Sequence, residues 1–258
     1  MHFAALKAVA ESVQKPILYF ENNIVGSANL FKMMEKYQCK NFIFSSTAAV
    51  YGDKDNCCET DMKNPTTPYG ESKTAVEMLL HSLAKLHKDW RVISLRYFNP
   101  CGAHKSGLIG DEPYVYPNNL FPFIQEVIAG KREKLSIFGN DYPTPDGTCV
   151  RDYIHITDLA QGHVFALNRL EEMKENYDVV NLGSGKGYSV YEIVKGYEEA
   201  LGKPINWCYA PRRIGDVPKL VANPAKANTE WGWKTELNLK QMCEDSVNFV
   251  NKRLLKKE

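Results

Sequence analysis

Tyr69 and Lys73 stand four residues apart in Tyr69-Gly70-Glu71-Ser72-Lys73, a Y-x-x-x-K. On a helix this spacing puts the phenol and the ammonium one turn apart on the same face. Val76, Leu80 and Leu83 continue the stripe, so the pair turns inward. A motif this short recurs by chance, and alone it also describes an incidental pair on a surface helix. The chain ahead of it weighs against that. Ser45-Ser46-Thr47-Ala48-Ala49-Val50-Tyr51-Gly52 sets hydroxyls at the carboxyl end of a strand, where open α/β sheets take their ligands. A hydroxyl, a phenol and an ammonium meeting there form a proton-handling set. A free tyrosine has a pKa of about 10, and lowering it by about 3 units takes roughly 4 kcal/mol. An adjacent ammonium and a cationic cofactor can supply that. Such a set suits hydride transfer at an alcohol carbon, with the base taking the hydroxyl proton as hydride leaves.

The elements that must position these residues alternate between strand-like and helical runs, the pattern of a parallel sheet covered by helices. Asn41 to Ser46, Trp90 to Tyr97 and Val179 to Leu182 read as buried strands. A helix starts near Pro68, and another runs from about Asn22 to Lys36 with Ile24, Ala28, Phe31 and Met34 on one face. Further helices are expected over 119–130, 157–170, 189–201 and 239–255, with Ser189 and Glu192 forming a capping box. After Asn99-Pro100 the chain turns rich in Gly, Pro, Asn and Asp up to about Tyr153, which suits a second, ligand-facing domain with long loops.

Composition narrows the classes. The chain has 258 residues, 44% hydrophobic and 11% aromatic, enough for a proper core and too apolar for a disordered chain. Lys and Arg number 32 against 31 Asp and Glu, so no electrostatic case exists for nucleic acid or an anionic membrane as partner. No run approaches the roughly 18 apolar residues of a membrane span. The seven cysteines are scattered without a C-x-x-C, which reads as free thiols in a reducing compartment, and the histidines show no metal-ligand spacing. No metal is expected. The first residues lack a signal-peptide pattern, and the expected location is the cytoplasm.

Several segments together carry a resemblance: HFAALKAVAESVQKP at the start, FIFSSTAAVYG, PYGESK, LRYFNPCGAH, PNNLFPFI, IFGNDYPTPDGTCVRDYIHITDLA, NLGSGKGYSV and PRRIGDVP. In this order, and over almost the whole chain, they resemble the UDP-glucose 4-epimerase family of the extended short-chain dehydrogenase/reductases. The resemblance implies an α/β fold, a Rossmann-like doubly wound parallel sheet with a smaller α/β substrate domain. Residues 1–100 would be the remainder of the NAD-binding domain. Residues 101–258 would mainly bind the UDP-sugar, with segments near 150–185 returning to the first domain.

The resemblance also implies roles. Tyr69 is the catalytic base, Lys73 its electrostatic partner and a ligand of the nicotinamide ribose, and Thr47 the hydroxyl on the substrate oxygen. NAD contacts fall on Phe3, Ala4, Ala5, Lys7, Asn22, Ser45, Ser46 and Tyr97, together with Tyr69 and Lys73. The UDP-sugar grip falls on Phe98, Asn99, Asn119, Leu120, Phe138, Arg151, Tyr153, Arg213 and Asp216. Arginine forks suit a diphosphate. Phe138 can pack on uracil, and Asp216 can accept from a ribose. Relatives commonly pair through the helices matching 22–36 and 69–86, so a homodimer is implied.

Departures are also legible. Thr47 replaces the usual serine, Ala5 a glycine, Cys149 a glycine and Ile214 an acid, while Leu220 occupies a position that varies within the family. Ala48-Ala49 after Thr47 offer no proton, unlike the acid that dehydratases and decarboxylases carry there. That favours oxidation and re-reduction at C4 of UDP-glucose and UDP-galactose. The G-x-x-G-x-x-G fingerprint is absent from this chain, and the family places it upstream of the segment matching Met1-His2-Phe3. Gly183-Ser184-Gly185-Lys186-Gly187 fits neither phosphate-loop pattern and is expected to be a structural turn. The expected protein is an N-terminally incomplete epimerase with an uncovered sheet edge. The alternatives are a non-catalytic UDP-sugar-binding relative and a 4-epimerase of UDP-N-acetylhexosamines or UDP-pentoses.

Overall fold

The computed structural model describes residues 1–113, 117 and 119–255. Two short helices, α1 (Val9–Gln14) and α2 (Pro16–Phe20), lead through a π-helical turn at Glu21–Val25 into α3 (Gly26–Lys36). The helix expected from Asn22 is therefore present but opens as a wide turn. Next come β1 (Asn41–Thr47), a 3-10 turn at Ala48–Val50, α4 (Pro68–Leu86), β2 (Arg91–Tyr97) and β3 (Asn99–Cys101). The chain continues through α5 (Leu120–Ile128), β4 (Leu135–Phe138), β5 (Val150–His155), α6 (Ile156–Glu172) and β6 (Tyr177–Leu182). It closes with β7 (Gly187–Ser189), α7 (Val190–Leu201), β8 (Trp207–Ala210), β9 (Lys219–Leu220), α8 (Ala225–Glu230) and α9 (Leu239–Phe249).

β1, β2 and β6 form a parallel sheet in that order, with Thr47 opposite Tyr97 and Tyr97 opposite Leu182 at its carboxyl edge. Alternate side chains serve opposite faces. Phe42, Phe44 and Val92 pack with Phe31 and Met34 of α3 and Val76, Leu80 and Ala84 of α4. Ile43, Ile93 and Leu95 pack with Leu159, Ala166 and Leu170 of α6. Covering both faces is why these strands read as near-continuous apolar runs. The outer edge of β1 is partly paired rather than bare, since His2 bridges to Phe44 in parallel. The His2 amide donates to the Ile43 carbonyl at 2.9 Å, and the Ser45 amide donates to the His2 carbonyl at 3.2 Å.

A second apolar cluster joins Phe121 and Ile124 of α5, Ile137 of β4, Ile193 and Tyr197 of α7, and Met242 and Val247 of α9. β4 pairs with β8 in parallel. β5 pairs with β3, β7 and β9, so it runs between the two clusters. The capping box opening α7 is complete: the Glu192 amide donates to Ser189 Oγ at 3.0 Å, and the Ser189 amide to Glu192 Oε2 at 2.7 Å. The stretch read as long loops contains β4 and β5. Their partners lie far along the chain, and strands this short have no periodicity to display.

Candidate active site

Helix α4 begins where it does because Thr67 caps it, its hydroxyl accepting from the Gly70 amide at 3.3 Å, with Pro68 at the first helical position. Starting there puts Tyr69, Lys73 and Glu77 on one face. Gly70 lets the first turn come close: a Cβ at that position would sit 2.8 Å from the Ala49 carbonyl oxygen and 2.9 Å from Pro65 Cβ. The helix thereby presses onto the turn that follows Thr47.

The Tyr69 phenol lies beside the Thr47 hydroxyl. Thr47 Oγ1 also accepts from the Ala49 amide at 3.1 Å, which caps the 3-10 turn and holds the side chain in place. Lys73 is 4% exposed. Its Nζ donates to the Ser45 carbonyl at 2.7 Å and lies 4.8 Å from the Phe44 ring centroid. Burial pushes the Lys73 ammonium down to about 8. Burial also raises the Tyr69 phenol, and the adjoining Thr47 hydroxyl only partly opposes it. Desolvation dominates both groups, and the lowering expected of the phenol from the ammonium together with a cationic cofactor has to overcome it.

Ser45 and Thr47 sit on one face of β1 and Ser46 on the other. The Tyr97 hydroxyl lies beside Ser45 and 2.5 Å from His163 Nε2. Ser46, expected at the cofactor, instead donates to Glu77 Oε1 at 2.5 Å. Glu77 is fully buried and takes the Arg96 guanidinium on both oxygens, from Nε at 3.0 Å and Nη2 at 2.8 Å. Burial alone would raise the Glu77 carboxyl, but the Arg96 fork, Ser46 and Lys63 hold it below its ordinary value. Arg96 continues to the Tyr51 hydroxyl at 2.8 Å, and Tyr51 donates to Asn181 Oδ1 at 2.6 Å. Sequence reasoning missed this network. Its only signal was a Glu one turn beyond Lys73 and an Arg in an otherwise apolar strand.

Phe3, Ala4 and Ala5 follow His2 along the β1 edge; Phe3 and Ala4 are exposed, Ala5 is half-buried, and Lys7 is exposed. The Phe3 ring meets His163 at 5.2 Å between centroids. Asn22 is exposed on the π-helical turn. Its neighbour Asn23 is the buried one, accepting from the Leu6 amide at 2.9 Å and donating to Ser72 Oγ at 3.0 Å.

The second group converges on Asp216. Arg213 pairs with it through Nε at 2.9 Å and Nη2 at 3.2 Å, while Arg151 Nη2 lies 3.7 Å away. The Arg213 guanidinium also covers the Phe138 ring at 4.8 Å. The ring expected to face a base thus carries a cation on one face. Asn99 is half-buried opposite Tyr153 in the β3–β5 register, and Phe98 is buried against Tyr51. Asn119 is exposed at the N-cap of α5, followed by half-buried Leu120. Tyr153 departs from expectation: it is 4% exposed and packs on Phe121 in the core, as wall rather than open lining.

The glycine-rich turn at 183–187 is structural. Asp152, fully buried, accepts from the Ser184 amide at 2.8 Å, Ser184 Oγ at 2.6 Å and the Gly185 amide at 2.9 Å, so these donors are already spent. Among the described residues no group of three His, Cys, Asp or Glu is placed to hold a metal, and no helix is long and apolar enough to cross a membrane.

Comparison with known proteins bears on this geometry. A family model described as GDP-mannose 4,6 dehydratase matches residues 1–246. UDP-glucose 4-epimerase 2 of Oryza sativa subsp. japonica is 49% identical over 98% of this chain, which spans 62% of that relative's length. A bifunctional UDP-glucose 4-epimerase and UDP-xylose 4-epimerase of Arabidopsis thaliana is 48% identical over 98% of this chain and 73% of its own. The crystal structure of UDP-glucose 4-epimerase from Bifidobacterium longum, in complex with NAD+ and UDP, superposes with a TM-score of 0.94 at 45% identity, covering 98% of this chain and 76% of that one. With a Thr-Tyr-Lys constellation at the edge of a Rossmann-like parallel sheet, the chain belongs to the GDP-mannose 4,6 dehydratase family and, within it, to the UDP-glucose 4-epimerases.

Proposed function

We propose that this protein interconverts UDP-glucose and UDP-galactose at C4, using bound NAD, as an isomerase of cytoplasmic galactose metabolism. The observation that carries the reading is the Tyr69 phenol beside the Thr47 hydroxyl and buried Lys73, with two alanines following Thr47 in the chain. The residues fit a nicotinamide nucleoside by their donor chemistry. Lys73 has three N–H donors and gives one to Ser45, leaving others for the hydroxyls of a ribose. When bound, NAD supplies the hydride acceptor and a positive charge near the phenol. Such a charge offsets the desolvation that raises Tyr69.

Tyr69 in this reading takes the C4 hydroxyl proton and returns it, and Thr47 holds the same oxygen through the hydroxyl it shares with Tyr69. With no further acid at 48–49, nothing drives elimination, and the sugar leaves as an epimer. Arg151, Arg213 and Asp216 grip the UDP end, while Asn99, Asn119, Leu120, Phe98, Phe138 and Tyr153 shape the cavity around it. The division at residue 100 belongs to the same reading, supported by β6 pairing with β2 after the chain has visited the second cluster. So does a homodimer: Val25, Met33, Met78 and Leu86 are exposed on the helices that would pair.

Tyr69→Phe tests the reading. Turnover should fall about a hundredfold or more, the weight of a positioned acid–base group, while UDP affinity stays within about twofold. Undiminished turnover would remove Tyr69 from the mechanism. Assays with UDP-xylose and UDP-N-acetylglucosamine decide the sugar range. UDP binding without turnover on any sugar would make this a binding relative instead.

A further inference from the structure

His163 on α6 is 8% exposed and touches two residues of the candidate cofactor edge, Phe3 and Tyr97. Its Nδ1 lies 2.8 Å from the Leu159 carbonyl. A carbonyl only accepts, so Nδ1 carries a hydrogen. A neutral imidazole has one N–H, which leaves Nε2 as a bare acceptor. Burial lowers the His163 pKa and favours that neutral ring. The Tyr97 hydroxyl, 2.5 Å from Nε2, must then be the donor. Its oxygen keeps its lone pairs free to accept. The chain runs one way: Tyr97 hydroxyl to Nε2, Nδ1–H to Leu159 carbonyl.

The geometry points to His163 as a positioning residue, one that spends the hydrogen of Tyr97 inward so that the phenol oxygen offers only lone pairs to a ligand at the β1–β2 edge. The ligand group meeting this oxygen is therefore an N–H or O–H donor such as a carboxamide, and a carboxylate in its place would be repelled. Phe3, packed at a tilt against the same ring, meets that edge through the same residue. The role in turnover rests on the proposed epimerase reading, whereas the direction of the hydrogen-bond chain does not.

The experiment has two arms on the native protein. Nitrogen-15 NMR of the histidine rings should find the His163 hydrogen on Nδ1, with an Nε2 resonance that moves in Tyr97→Phe. A hydrogen on Nε2, or an Nε2 signal indifferent to Tyr97→Phe, would overturn the proposal. In the kinetic arm His163→Leu should lower kcat about fivefold, the fold-change one hydrogen bond carries, with KM for the UDP-sugar within about twofold. His163→Gln, whose side-chain oxygen can accept in place of Nε2, should recover most of it. In a Tyr97→Phe background the His163→Leu loss should vanish. An equal loss in both backgrounds, or Gln no better than Leu, would make His163 mere packing. A wild type without turnover would sink the epimerase reading, and the NMR arm would still decide this one.

Discussion

Glu77 receives both arms of the Arg96 guanidinium, at 2.8 and 3.0 Å, where α4 lies across β2. Several residues of the reaction centre adjoin this pair. Ser46, bonded to Glu77, lies between Ser45 and Thr47; Lys73 is one turn before Glu77; Tyr97 follows Arg96. The ion pair fixes α4 against the strand ends and so sets the spacing of the phenol, ammonium and hydroxyls. Removing one member of a fully buried pair leaves an uncompensated charge. Glu77→Ala is expected to cost about 3–5 kcal/mol in urea unfolding. A loss of less than about 1 kcal/mol would mean that solvent reaches Arg96 and the pair does not hold the site.

The same carboxyl contributes a pH dependence. Its folded pKa lies below the ordinary value, so the folded state favours the ionised form. That stability is present above the unfolded glutamate pKa of about 4.3 and is lost as pH falls through the depressed folded value. Lys73 works the other way round. Burial lowers it to about 8, so between about 8 and 10.4 the unfolded chain binds the extra proton and stability rises with pH. Lys73→Met should flatten that rise, which amounts to about 3 kcal/mol at its limit. Parallel urea midpoints for wild type and variant between pH 7.5 and 10, pH values chosen around those two pKa values, would expose a wrong sign.

Gly70 is the contact point between the two halves of the Tyr69–Thr47 pair. A methyl there meets the Ala49 carbonyl oxygen and Pro65, both of which are main-chain or ring atoms with little room to yield. Gly70→Ala should cost about 1–3 kcal/mol of stability by overpacking and lower kcat more than it raises KM, because it parts the phenol from Thr47. Thermal melting together with steady-state kinetics would read both. A variant with wild-type kcat would show that the first turn of α4 can shift without harm.

Much was fixed by local pattern. The three apolar runs became β1, β2 and β6 because a parallel sheet covered on both faces demands continuous apolar residues. Ser189 and Glu192 announced their helix because a capping box is a four-residue event. Tyr69 and Lys73 shared a face because helical geometry requires it. What the sequence left open depended on partners distant along the chain. It could not say that Ser46 turns to Glu77 while its neighbours turn to the site, since that follows from which face of β1 helix α4 covers. It could not give the sign of the Tyr69 shift, because desolvation depends on atoms from several elements. Nor could it join Arg213, Arg151 and Asp216, brought together only when β5 and the 211–216 turn meet, or assign a hydrogen to His163. Residue type and spacing determined which chemistry is available; tertiary packing decided which atoms face it and in which protonation state.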